Sequence, residues 1–334
     1  MTLSLEFETR LDEVTQRFAD DAAAVDRADL VPAGHLDALA ELGLYGVFAP
    51  TELGGLGFEV EELCEVVEQL ASGCLASTFV WIQHLRLLGT VLNPTTPAPL
   101  REHVSDVIGG TMRGGVALGG LLPGPARLRA IGAEGGWTLD GHAPWVSGWG
   151  LVDTLFVAAR GPEETVVTAL VPAREQAGLE ASPWHLAAMN ASATVRLDFR
   201  SLFVSSDDVV GIVPFDPASE RPEGLRVNGS LALGLARRCC SLLGPSPLDD
   251  ALRRCRENLD RGDATSMADA RAAASQLAVT AAHALAVQRG SSSVVAGDVA
   301  ERAQREAALL LTFGSRPAIR AALLERFHAS TATD

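Results

Sequence analysis

From Leu3 to about Leu92 the apolar positions fall at helical spacing, interrupted by short turns rich in glycine and proline. In HLDALAELGLYG, His35 to Gly46, leucine and alanine recur every three or four residues; Pro32 stands where a helix starts, and Gly43 and Gly46 end the run. VFAPTELGGLGF, Val47 to Phe58, reads as a loop, and EVEELCEVVEQLASGC, Glu59 to Cys74, as the next helix. FVWIQHLRLLGTVL, Phe79 to Leu92, completes a mostly apolar helical layer before NPTTPAP breaks the pattern.

Between about Gly114 and Val213 the period shortens. GWTLDG, DTLFVAAR, TVVTALVP and ATVRLDF are short β-rich runs divided by Gly, Pro and Asp clusters, which predicts a small antiparallel β domain. From Asn228 the helical period returns in NGSLALGLARRCCSLLG, LDDALRRCRENLDRG, SMADARAAASQLAVTAAHALAVQRG and VAERAQREAALLLTFG, whose interiors are rich in Ala and Leu and free of Pro. Helices, then strands, then helices define an α+β fold with segregated elements and no βαβ alternation. The expected division is an N-terminal helical domain over 1–112, a central β domain over 113–215 and a C-terminal helical bundle over 216–334.

Composition removes several classes of chemistry. A formal charge of -15 argues against a nucleic-acid partner, which needs clustered cations. All 27 basic residues are Arg, so no lysine is available for a Schiff base or a phosphate-binding P-loop. Cys64, Cys74, Cys239, Cys240 and Cys255 lie in apolar helical runs without C-x-x-C or zinc-ligand spacing and read as reduced core thiols. No G-x-G-x-x-G follows a strand, and neither G-x-S-x-G nor H-E-x-x-H occurs. The acidic, amphipathic N-terminus does not read as a signal peptide, no apolar run reaches about 18 residues, and the expectation is a soluble cytoplasmic protein.

Four segments carry a family resemblance. LAELGLYGVFAPTELGGLGF (Leu39 to Phe58), GWTLDGHAPWVSGWGLVDTLFVAAR (Gly136 to Arg160), ATVRLDFRSLFVSSDDVVG (Ala193 to Gly211) and AVQRGSSSVVAGDVAERAQREAALLLTFGSRPAIR (Ala286 to Arg320) resemble, in this order, segments of the acyl-CoA dehydrogenase family. The resemblance implies bound FAD, with Trp145 against the isoalloxazine and Val146 and Ser147 following it; an indole offers a broad apolar face, and a hydroxyl can donate to the flavin edge. It implies main-chain contacts to the flavin from the loop Leu121, Leu122, Pro123, Gly124, and an approach to the FAD diphosphate by Gly290, Ser291 and Ser293. It further implies an acyl-CoA or similar small-molecule substrate, an electron acceptor protein, and a homodimer that shares its FAD sites across the subunit interface. Glu301, Arg305 and Glu306 fall on the family's charged positions, and as plain residues they also read as a solvated helix face with Glu301 and Arg305 paired.

The family removes an α proton with a glutamate while hydride passes to the flavin. Where the commonest branch has that glutamate, this chain reads Phe313, Gly314, Ser315, Arg316; where a second branch has it, the position falls near Gly224, with Glu223 adjacent as a displaced candidate base. The family's diphosphate-binding arginine segment is absent, and Arg253, Arg254 or Arg256 are the nearest substitutes in sequence. Three functions stand: an acyl-CoA dehydrogenase-like oxidoreductase; a flavin monooxygenase of the same fold, with His84 or His185 assisting proton transfer; and a non-flavin binding or assembly protein.

Overall fold

The computed structural model describes residues 3–122, 124–216, 222–314 and 316–329. The chain opens with α1 (Leu5–Val25), whose N-terminus is capped by the Ser4 hydroxyl accepting from the Phe7 N–H, with Glu6 and Glu8 favourably placed in its first turn. After α2 (Ala33–Glu41) come α3 (Val60–Gly73), entered through a reciprocal Glu59/Glu62 capping box, and α4 (Leu75–Leu92). Two short helices, α5 (Ala98–Arg101) and α6 (Val104–Gly109), lead to the sheet. By length and composition α4 could cross a bilayer, contrary to the sequence expectation, but 72% of it is buried inside the fold. It is the central core helix: Trp81 is enclosed there, and its indole N–H donates to the Leu44 carbonyl.

Eight strands follow: β1 (Gly114–Ala117), β2 (Leu128–Ala133), β3 (Gly136–Val146), β4 (Thr154–Arg160), β5 (Thr165–Pro172), β6 (Leu179–Pro183), β7 (Val195–Ser205) and β8 (Val209–Pro214). They form one sheet in the order β6-β7-β3-β2-β4-β5-β8, with β1 added on β4. The expected antiparallel pairing holds for most neighbours, but β1 and, through the single pair Arg129–Arg160, β2 run parallel to β4, so the sheet is mixed. The reason is local. The carbonyl of Arg113 accepts the N–H groups of Asp153 and Thr154, and the Asp153 carboxylate accepts the Arg113 N–H, which clamps the start of β1 beside the start of β4. A Cβ at Gly114 would lie 2.5 Å from the Cβ of Leu87, so only glycine lets β1 lie this close to α4.

β4 is buried along its whole length, and its alternate residues serve two cores. Phe156 and Ala158 join the helical core, whereas Leu155, Val157 and Ala159 pack with Leu128 and Leu197 on the other face. The chain then returns through α7 (Pro222–Leu243), α8 (Pro247–Asp260), α9 (Met267–Arg289), α10 (Val299–Thr312) and α11 (Pro317–Ala329). α7 closes directly on α3: a Cβ at Gly234 would sit 2.5 Å from the Glu68 carbonyl oxygen and 2.6 Å from the Ala71 Cβ. The first and last helical segments therefore share one core, and the sheet lies against it.

Candidate functional site

At the end of β3 the pairing with β7 passes from Ala143–Leu197 to Val146–Val195, so Pro144 and Trp145 together oppose Arg196. This is a β-bulge, and Trp145 takes φ +61°, a left-handed conformation uncommon for a bulky residue. The bulge turns the indole outward, 56% exposed, while Val146 and Ser147 point inward and are buried. Val195 of β7 also pairs with Pro183 of β6, which carries Trp184 to Trp145; the rings meet edge to face with centroids 4.0 Å apart at 61°. Behind them the Ser147 Oγ lies 2.7 Å from the Thr194 Oγ1, which lies 2.8 Å from the Ser192 Oγ. All three hydroxyls are buried.

Leu121 ends the single turn Gly119–Leu121 and is half-buried against the helical core. The carbonyl of Gly120 accepts two bonds from Arg160, Nε at 3.2 Å and Nη2 at 3.1 Å, and the same guanidinium lies 3.2 Å over the Phe215 ring. A buried arginine thus holds the loop from below. Pro123 of this loop lies outside the described residues.

Gly290 follows α9 with φ +68° and ψ -144°, a region open to glycine alone, and nothing crowds the place of its missing Cβ. Ser291 is exposed; Ser293 is buried, and its carbonyl accepts from Gln304 of α10. Arg289 beside them is held by Asp298 at 2.6 Å. Among the described residues no hydrogen bond joins this loop to the strand end at 145–147. The expected Glu301–Arg305 pair is present, yet it does not form a solvated face: Arg305 also grips Asp26 at 2.6 Å and donates to the Ala187 carbonyl at 2.8 Å. Glu306 is mostly buried, with Arg302 at 3.8 Å, and burial pushes its carboxyl up to about 7.

At the expected base position Gly314 has φ +60°, and a Cβ there would meet only the Asn228 Nδ2, at 3.8 Å. Phe313 stands edge-on to Phe79 of α4, centroids 4.8 Å apart. Ser315 lies outside the described residues. Glu223 is exposed in the first turn of α7, about a turn and a half before Asn228 on the same helix. Gly314 therefore lies against Asn228 of α7, the helix whose first turn carries Glu223.

Several other candidates find different employment. His84 is not free for proton transfer: its Nε2 donates to the Tyr45 carbonyl at 3.1 Å, its Nδ1 accepts the Gly114 N–H at 3.1 Å, and burial lowers it to about 4. His185 is exposed, next to Trp184. Arg256 forks onto the buried Glu68 and Arg253 is shared by Asp250 and Glu257; Arg254 is exposed and has no such partner among the described residues. The five cysteines are free thiols, and burial raises Cys239 to about 12 and Cys240 to about 11. Trp184, Ser192, Thr194 and Arg160 were not singled out from sequence; only the strand register brings them to the site.

Residues 7–108 match the family model described as the acyl-CoA dehydrogenase N-terminal domain. Benzylmalonyl-CoA dehydrogenase of Aromatoleum aromaticum is 24% identical over 237 residues, covering 66% of this chain and 62% of its own length. Butyryl-CoA dehydrogenase from Megasphaera elsdenii superposes with a TM-score of 0.80 at 14% identity, covering 99% of this chain and 100% of its own. Dibenzothiophene monooxygenase from Paenibacillus sp. A11-2 superposes with a TM-score of 0.79 at 17% identity, covering 96% of both chains. Residues 7–108 therefore match that family's N-terminal domain, and the chain has the acyl-CoA dehydrogenase fold. The sequence alignments span between 44% and 62% of the length of the curated relatives that match first.

Proposed function

We propose that the protein is a flavin-dependent oxidoreductase that binds FAD, works as a cytoplasmic homodimer and acts on an acyl thioester or a substrate of similar size. The observation that carries this reading is Trp145, a large aromatic face turned outward by a bulge and a left-handed backbone beside the buried Ser147 hydroxyl. Strained backbone of this kind persists where a site requires it. In this reading Trp145 supplies the face for a flat tricyclic ring, and its edge is met by the main chain at Val146 and Leu121 and by Ser147, whose buried hydroxyl turns from Thr194 to donate. Gly290, Ser291 and Ser293 are assigned to the diphosphate in this reading, serving the flavin of a second copy. The bound flavin would take hydride from an acyl chain or, once reduced, react with oxygen.

In the dehydrogenase form of this reading Glu223 takes the α proton, and an electron acceptor protein completes the cycle. The open space at Gly314 favours the second form, a monooxygenase of the same fold, because no carboxylate stands there and Glu223 is exposed. The visible spectrum of the purified protein tests the common part: absence of flavin absorption, before and after loading with FAD, would sink it in favour of a non-flavin binding or assembly protein. Anaerobic bleaching by an acyl-CoA, abolished in Glu223→Gln with flavin retained, selects dehydrogenation. Bleaching only by a supplied reductase selects the monooxygenase.

A further inference from the structure

The side chains that meet Trp145 and Ser147 come from one segment, the connection between β6 and β7 over residues 184–194. It carries Trp184, which meets the Trp145 ring, and Ser192 and Thr194, whose hydroxyls continue from Ser147. Its ends are tied at the site. The Trp184 N–H donates to the Thr194 carbonyl at 3.1 Å, and the carbonyls of Ser192 and Ala193 accept from Gly148 and Trp149, just past Ser147, at 2.8 and 3.2 Å. Among the described residues six that are not glycine have a left-handed backbone, and three of them lie here: Trp145, and in the segment itself Met189 at φ +56° and Ala193 at φ +48°. Residues with side chains rarely hold this conformation without support from their surroundings.

The support comes from the helices. The Val31 N–H donates to the Ala191 carbonyl at 2.9 Å, and Asn190, which accepts the Leu186 N–H, donates to the Asp29 carboxylate at 3.1 Å. The third anchor is Arg305 of α10, whose Nη1 donates to the Ala187 carbonyl at 2.8 Å. Its fork is aimed by two carboxylates: Nη1 and Nη2 reach Asp26 at 3.0 and 2.6 Å, and Nη2 also reaches Glu301 at 2.8 Å. A planar guanidinium held at so many points has one orientation left, and its charge strengthens the bond to the carbonyl. Ala187 is exposed, where water is the ordinary partner of a carbonyl. The bond from Arg305 therefore meets no need of an enclosed group and instead fixes where the segment lies.

We propose that Arg305 is a positioning residue for the aromatic face: by holding the Ala187 carbonyl it seats the 184–194 segment, which sets Trp184 against Trp145 and Thr194 against Ser147. The proposal rests on the oxidoreductase reading for what the face is used for, but the placement of the indoles is measured without flavin. The two readings therefore fail separately.

The test is far-ultraviolet circular dichroism of the flavin-free full chain. Two indoles this close couple their electronic transitions into a paired positive and negative band, and the part lost in Trp184→Phe belongs to this pair. Arg305→Gln should lose most of that signal while its helical bands and a cooperative unfolding transition remain. Arg305→Lys, which keeps a cation but not the fork, should lose less. Leu11→Ala, a fully buried core position about four turns before the end of α1, should keep the signal at full size despite its lower stability. A full signal in folded Arg305→Gln overturns the proposal, as does an equal loss in Leu11→Ala, which would make the loss a matter of general loosening. A wild type from which Trp184→Phe removes no such signal overturns it too. Should Arg305→Gln fail to fold, Arg305→Lys decides: a reduced signal supports the proposal, and one equal to the wild type's overturns it.

Discussion

Trp184 stands edge-on to Trp145 at 4.0 Å between ring centroids, with β7 lying between the strands that carry them. Each indole limits the motion of the other, so the exposed face of Trp145 is held in place before any ligand arrives. Pairs of this geometry contribute about 0.5–1.5 kcal/mol beyond their buried area. Trp145→Ala and Trp184→Ala should each cost about that much, and a double-mutant cycle should return a coupling of the same size. Trp145→Ala should also release flavin from the purified protein, whereas Trp184→Ala should weaken retention less. Flavin absorbance per protein after desalting reads both, and unchanged occupancy in Trp145→Ala would refute the assignment of this face.

Arg305 joins three parts of the chain: Glu301 on its own helix, Asp26 just past the end of α1, and the Ala187 carbonyl in the loop between β6 and β7. The Asp26 side chain is only 7% exposed, so removing the cation strands a charge that water reaches poorly. Arg305→Ala should therefore cost about 2–4 kcal/mol, well above a surface ion pair. Urea unfolding measures it. A loss below about 1 kcal/mol would mean that water replaces the guanidinium at no great penalty, and the clamp would not be needed to hold the sheet against the helices.

The order of helices, sheet and helices was legible because periodicity survives single-residue noise over segments of ten or more residues. The parallel entry of β1 was not, since it depends on Arg113 meeting Asp153 and on the glycine at 114 touching α4. At the site, Trp145 and Ser147 could be found through family resemblance, but not the bulge that exposes one and buries the other; a bulge is a fact of register. Glu301 and Arg305 looked like a solvated pair because spacing along a helix does not say what lies opposite. His84 looked available for the same reason: both of its partners are main-chain groups distant in sequence.

Those partners make His84 a source of acid sensitivity. Folding lowers its proton affinity from the usual 6.5 to about 4, chiefly through burial. Between these values the unfolded chain holds the extra proton, so stability is fully present above about pH 6.5 and is lost as pH falls toward 4. The contribution is on the order of 3 kcal/mol. His84→Gln should lower stability at neutral pH and remove this contribution to the slope between pH 6.5 and 4, measured by denaturant midpoints across that range. An unchanged slope would assign the acid sensitivity to other groups.

Glu306 works in the opposite sense. Its carboxyl is raised from the usual 4.5 to about 7, first by burial, and Arg302 at 3.8 Å offsets only part of that. Between pH 4.5 and 7 the native state holds the extra proton, so stability falls as pH rises through this window and the full penalty stands above 7. Its size is on the order of 3 kcal/mol. With His84 pulling the other way, the two slopes nearly cancel between about pH 4.5 and 6.5, so the most stable range should be a plateau centred near pH 5.5 with a shallow decline on either side. Glu306→Gln keeps the shape of the side chain and removes its titration, but it also leaves the 8% exposed Arg302 without an anion, so the absolute stability of the variant mixes two effects. The slope does not mix them, because an arginine side chain does not exchange protons in this window. In Glu306→Gln the His84 slope is left unopposed, so stability should rise with pH from about 4.5 to 6.5 and the decline from 6.5 to 7 should vanish; a profile unchanged from the wild type's would show that Glu306 is already ionised in the folded protein.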